Sequence, residues 1–150
     1  MVKAEQQPLR AIWMSTLAKA PLPLLEQCVE TLERLPEYGL LRAPEIGLAM
    51  VRGRAEGTGQ PFNLGEITIT RCVVKLGELN GFGYVAGRSK RHAELAALCD
   101  GLLQHPDWQD RVQTQVIIPL QTAAQEKRNT EAAEVESTRV NFFTMLRGES

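Results

Sequence analysis

The spacing of apolar residues changes twice along this 150-residue chain, and no other feature restricts its fold as much. Up to Leu35 the spacing is helical. Leu9, Ile12, Trp13, Thr16, Leu17 and Ala20 fall on one side of a helix predicted over Pro8–Ala20. Leu24, Leu25, Cys28, Val29, Leu32 and Leu35 stripe a second helix over Pro23–Leu35, with Pro23 in its first turn and Pro36 ending it. From Tyr38 the period falls to two. Ile46, Leu48 and Met50 alternate with Gly47, Ala49 and Val51, and Ile67, Ile69, Arg71 and Val73 alternate with Thr68, Thr70, Cys72 and Val74. Asn80-Gly81 tolerates positive φ and predicts a tight hairpin into a third strand, Phe82–Ala86.

The helical period returns after Ser89, a suitable N-cap for a helix over Lys90–Gln104 whose apolar side is Ala93, Leu95, Ala96, Leu98, Cys99, Leu102 and Leu103. His105-Pro106 ends that helix, and Asp107 offers a cap for another, striped by Val112, Val116, Ile117, Leu120 and Ala124 and kinked or split at Pro119. Thr122–Arg139 then runs without Gly, Pro or an aromatic residue, the composition of a long exposed helix with too little apolar surface to pack on its own body. The order predicts the α+β class: a small antiparallel sheet of about three strands in a meander, N-terminal helices, a packing helix after the sheet and a long C-terminal helical segment. One domain is expected over residues 1–150, its body spanning about 8–120 and an interface helix about 121–148.

Charge and cysteine content narrow the function. Lys and Arg total 17 against 18 Asp and Glu, which leaves no electrostatic footprint for nucleic acid. No apolar run approaches the ~18 residues of a membrane span, and Met1–Leu17 lacks the order of a secretory signal, so a cytoplasmic location is expected. Cys28, Cys72 and Cys99 are far apart and odd in number, which argues against a disulfide framework. They read as buried small hydrophobes rather than reactive thiols, and His92 and His105 have no neighbour at metal spacing, so no metal site is expected.

Ten of the twelve glycines lie between Gly39 and Gly87. Within that third, Arg52–Glu66 is expected to be a loop between strands, with Arg52, Arg54, Gly57, Gly59 and Asn63 as candidates for phosphate contact, since free main-chain amides beside guanidinium groups suit an anion. A structural turn or interface loop suits the same residues, and no nucleotide-binding motif is present. Arg71 lies in the second strand. Arg88, Lys90, Arg91 and His92 crowd a helix N-terminus, where they fit either an anion site completed by helix amides or a solvated first turn with Glu94 as counter-ion. No Ser, Cys or second acid stands near His92 in a pattern that suggests a catalytic triad. Val140, Phe142, Phe143, Met145 and Leu146 end the chain as an apolar knot holding half of its four phenylalanines, a placement that points to a partner.

Several stretches taken in order resemble one family: Trp13-Met-Ser-Thr-Leu-Ala18, Gly57–Glu66, Thr68–Arg71, Gly87–Glu94, Ile118-Pro-Leu120 and Arg139–Gly148. Together they are similar to the G subunit (PhnG) family of the bacterial carbon–phosphorus lyase core complex. That resemblance implies a cytoplasmic subunit in phosphonate catabolism, in an assembly that transfers an alkylphosphonate to ribose C1′ of ATP with displacement of adenine. It implies the I subunit as the chief partner, with H and J beside it. MgATP is then a substrate of the complex rather than a cofactor of this chain. The family pattern supplies no catalytic position to transfer. The cations and glycines above remain candidates for phosphate or subunit contact. A self-contained nucleotide or phosphonate enzyme, or a regulatory phosphate-binding module, stands as the alternative.

Overall fold

The computed structural model describes residues 3–54 and 61–148, with side chains at 7–53, 62 and 64–138. Its elements run α1 (Lys3–Lys19), α2 (Leu22–Glu30), β1 (Gly39–Arg54), β2 (Pro61–Leu76), β3 (Leu79–Ala86), α3 (Lys90–Gln104), α4 (Gln109–Val112), a π-turn (Gln113–Ile117) and α5 (Ile118–Gly148). The strands form one antiparallel sheet in the order β1-β2-β3, so the α+β class and the meander hold.

Helix α3 is the centre of the body. Ser89 caps it, its Oγ accepting from His92 N at 3.2 Å, and every residue from His92 to Leu103 except Glu94 is buried. It packs against β2 and β3 on one side and is touched by α1, α2 and α4 on others. The inward face of β2 is Thr70, Cys72, Val74 and Leu76, all buried. Judged by side chains alone, the opposite face with Ile67, Ile69 and Val73 is the more apolar. Glycine decides the matter. A Cβ on Gly81 would lie 2.0 Å from Ala97 O, and one on Gly83 would lie 2.2 Å from Ala93 O. Only glycine lets α3, with Ala93, Ala97 and Gly101 along its contact line, approach the strands so closely.

That contact corrects the hairpin expected at Asn80-Gly81. Leu76 pairs with Leu79 and Lys75 with Asn80, so the turn is Gly77-Glu78, and Gly77 has φ +60°. A glycine at positive φ in the first central position meets the requirement of a II′ hairpin, while Gly81 serves packing inside β3.

The N-terminal helices differ from expectation in face and length. In α1, Trp13, Leu17 and Ala20 are buried, whereas Leu9 and Ile12 are more than half exposed. Arg10 is turned inward in their place, drawn to a carboxylate of α3. Helix α2 stops at Glu30 instead of Leu35. The Thr31 hydroxyl donates to Cys28 O at 2.6 Å, and Arg34 takes φ +57°, so the chain leaves the helix well before Pro36 demands it. No side-chain cap from Asp107 forms at α4, where Trp108 is the N-cap residue. Beyond it the π-turn ends with Ile118 N donating to Gln113 O just ahead of Pro119. The widened turn precedes the proline that breaks the regular ladder. Val112, Val116, Ile117 and Leu120 are buried, but Ala124 is exposed, so the body releases α5 after Leu120. Among the described residues, no helix is long and apolar enough to cross a membrane.

Candidate functional site

The segment expected as a glycine-rich loop is largely a ribbon. Val51 pairs with Gly65, Arg52 with Asn63, Gly53 with Phe62 and Arg54 with Pro61, with a register shift between Val51 and Arg52 that leaves Leu64 as the extra residue of a bulge. Amides on the paired sides of this ribbon are committed to the ladder rather than turned toward an anion. Arg52 is exposed on β1. The side chains of Arg54 and Asn63, and all of Gly57 and Gly59, lie outside the described residues.

The remaining candidates do not converge on Arg52. Arg71 is on the outer face, opposite Glu45 in β1 and Tyr84 in β3, with its Nε 3.5 Å from Glu45 Oε2. Both side chains are about half exposed, so the pair contributes at most about 1 kcal/mol. Arg88 and Lys90 are exposed at the β3–α3 junction. That junction is tied to the sheet near Leu48, because Gly87 N donates to Thr68 O at 2.8 Å and Thr68 pairs with Leu48. Arg52 lies four strand residues further on, roughly 13 Å along the ribbon. Arg91 is held by two carboxylates, Glu26 at 3.7 Å and Glu94 at 3.9 Å. Glu94 also accepts from the Tyr38 hydroxyl at 2.9 Å. Burial, followed by that hydrogen bond, raises the Tyr38 pKa.

His92 points into the body. It is buried, and its Nε2 lies 2.8 Å from Leu17 O. A carbonyl can only accept, so Nε2 carries the hydrogen and the ring fastens α3 to the end of α1. The three cysteines are buried and free. Burial, with Glu94 adding to it, pushes Cys72 up to about 11, and burial first of all pushes Cys99 up to about 12. Such thiols stay protonated and unreactive at neutral pH. Among the described residues, no group of three or more His, Cys, Asp or Glu side chains is placed to hold a metal ion.

The most elaborate polar site is one the sequence reading missed. Asp100 is fully buried in α3. Its Oδ1 accepts from Arg10 Nε at 3.1 Å and Trp13 Nε1 at 2.8 Å, and its Oδ2 accepts from Arg10 Nη2 at 2.8 Å and Phe82 N at 2.9 Å. Gln104 Nε2 closes the cluster, donating to Asn80 O at 2.8 Å and Asp100 O at 3.2 Å. The hydrogen bond to Asp100 is the main reason the Arg10 pKa is raised. One carboxylate thus joins α1, the outer edge of β3 and α3, and Arg10 also lies 5.5 Å from the centre of the Phe82 ring. The legible signal was a single acid inside the apolar run Ala96-Ala-Leu-Cys-Asp-Gly-Leu-Leu103. Every donor is satisfied from within the chain, so the site builds structure rather than chemistry.

Two surfaces remain open. A basic groove of about 570 Å³ lies between the end of α1 and the start of α5, with Lys19, Lys127 and Arg128 on its walls. The β1–β2 ribbon also continues past the end of α3, bearing exposed Ile46, Leu48, Met50, Phe62, Leu64 and Ile67. The backbone of α5 is helical to Gly148, while the side chains of Val140, Phe142, Phe143, Met145 and Leu146 lie outside the described residues.

Comparison with known proteins agrees with this absence of a self-contained active centre among the described residues. The family model described as phosphonate metabolism protein PhnG matches residues 9–148. A curated relative from Rhizobium meliloti (strain 1021), the alpha-D-ribose 1-methylphosphonate 5-triphosphate synthase subunit PhnG, is 43% identical over 141 residues, which cover 91% of this chain and 87% of the relative.

Proposed function

The chain belongs to the PhnG family of phosphonate metabolism proteins, and on that premise we propose that it is a required, non-catalytic subunit of a synthase that forms alpha-D-ribose 1-methylphosphonate 5-triphosphate. In this reading the assembly transfers an alkylphosphonate to ribose C1′ of MgATP and releases adenine. MgATP enters as substrate of the assembly, and this chain contributes positioning of its neighbours. The partners are the other core subunits, the I subunit foremost and H and J with it, in the cytoplasm.

The observation that supports a subunit role best is α5. This helix has 31 residues, and from Ala124 to Thr138 every one is exposed. Val135, its one large aliphatic there, is 63% exposed. An all-polar helix of about 20 Å clear of any core gains little from its own body and is stabilised chiefly by what docks on it. It carries the apolar sequence Val140–Leu146 outward, where the two phenylalanines and adjacent aliphatics would contribute several kcal/mol when buried, at roughly 25 cal/mol per Å².

Truncation after Arg139 tests this reading. Co-purification of the remaining synthase subunits is expected to fall sharply while the body stays folded. Undiminished recovery would overturn the role given to α5. Calorimetry of the isolated full chain with MgATP addresses the alternative of a self-contained enzyme, which requires binding that a pure interface subunit lacks.

A further inference from the structure

The same strands are covered at one end of the sheet and bare at the other. From Thr70 to Leu76, β2 lies under α3, but from Pro61 to Thr68 it pairs with β1 alone. Two-stranded ribbons are marginal in water without a third strand or a packed layer. Alternation and register sort the exposed apolar side chains of this arm onto both faces. Ile46, Leu48 and Met50 share the face that α3 covers further along, because Thr70 and Thr68 pair with the first two. Ile67 pairs with Ala49 on the opposite face, and Leu64 lies over Gly53 there, its Cδ1 3.0 Å from where a glycine Cβ would stand. Phe62 pairs with that same Gly53.

Both faces are therefore apolar and open. With Phe62, the exposures of these residues run from 44% for Ile46 to 67% for Leu48. Taking roughly 200 Å² for a fully exposed large side chain, the arm presents about 600 Å² of apolar surface. That is as much as the largest patch on most monomers and most of the ~800 Å² one partner gives to a stable interface. A flat partner would cover one face and leave the other in water. Toward the end of the arm stands the exposed cation Arg52.

We infer that the β1–β2 arm is an insertion element that enters a two-walled apolar cleft on another subunit of the synthase, with carboxylates in that cleft facing Arg52. This rests on the subunit role proposed above. Charge decides against a second copy of this chain as the receptor. The groove this chain offers is lined by Lys19, Lys127 and Arg128 and would oppose Arg52.

The test uses the full chain co-expressed with the other synthase subunits. Photoreactive benzoylphenylalanine is placed at Leu48 in one preparation and at Ile67 in another, since these positions lie on opposite faces. Both are expected to cross-link to the same partner subunit. Cross-links from one position only, to two different subunits, or to a second copy of this chain would each overturn the inference. The double variant Leu48→Asp/Ile67→Asp is expected to lower recovery of the partner about tenfold, and Arg52→Glu to weaken association where Arg52→Lys does not. Melting of the isolated variants must match the parent chain, which removes misfolding as the cause. If the parent chain recovers its partners and the aspartate variants recover them equally, the arm inference fails and the subunit reading stands. If the parent chain recovers none, the subunit reading fails and the inference falls with it.

Discussion

The two ends of β2 are written in the same alternating pattern yet live in different surroundings. From Thr70 to Leu76 alternate residues are buried, Val74 completely, because α3 crosses that end of the sheet. Between Phe62 and Ile67 the described residues are all exposed, and two of the larger ones, Phe62 and Leu64, are about as apolar as anything in the core. Alternation therefore specifies a strand and its faces, while the covering layer specifies burial. In this molecule the covering layer is set by where α3 begins, three residues after β3 ends at Ala86. The arm is the part of the sheet that α3 does not reach.

The comparison breaks most sharply at Asp100. Asp100→Ala strips the acceptor from Arg10, Trp13 Nε1 and Phe82 N at once and is expected to destabilise the isolated chain by about 3–5 kcal/mol, read as a shift in denaturant midpoint. A loss under about 1 kcal/mol would mean that the cluster is ornamental. Glycine substitution gives a contrast of intermediate size. Gly83→Ala forces a Cβ to within 2.2 Å of the Ala93 carbonyl and is expected to cost about 1–3 kcal/mol or more. Gly47→Ala in the arm meets nothing within 4 Å and should stay within about 0.5 kcal/mol of the parent. Equal effects at the two glycines would erase the distinction between a packed and an open end.

The smallest effect is one of pH. The folded pKa of Cys72 is raised to about 11 and that of Cys99 to about 12, from an ordinary 9.0. Raised values mean that the folded state holds these protons longer than the unfolded chain. Their stabilising contribution is full below pH 9 and is lost as pH rises from 9 toward 11–12. Unfolding midpoints should be flat in this respect through neutral pH and then fall, less steeply in Cys99→Ala than in the parent. An unchanged alkaline slope in that variant would assign the loss to other groups.

Much of this architecture was legible in the sequence. The change of period located the helices and strands in order, and Ser89 together with His105-Pro106 set both bounds of α3 where they are observed. What escaped were matters decided by contacts between distant segments. Asn80-Gly81 and Gly77-Glu78 both have turn chemistry, and only the closeness of Gly81 to Ala97 assigns the former to packing. The inward face of β2 looked too polar to be inward, because glycine's contribution to close packing has no side chain to read. Arg10 displaced Leu9 and Ile12 from the buried side of α1 for a carboxylate 90 residues away. The candidate cations were correctly seen as ambiguous. Arg91 and His92 have partners within the body, and Arg52 stands far from both along the ribbon.

The π-turn at Gln113–Ile117 has a consequence for the geometry of assembly. An α-helix advances about 100° in azimuth with each residue, so one residue accommodated in a widened turn resets the bearing of everything after it. Upstream of Pro119 the chain is anchored by Val112, Val116 and Ile117, and downstream it points freely into solvent. Deleting a single residue in this turn would swing the far end of α5 about a third of a revolution while leaving its composition untouched. The heading of the terminal apolar cluster is therefore fixed some thirty residues before the cluster itself, by one loose coil at the edge of the core.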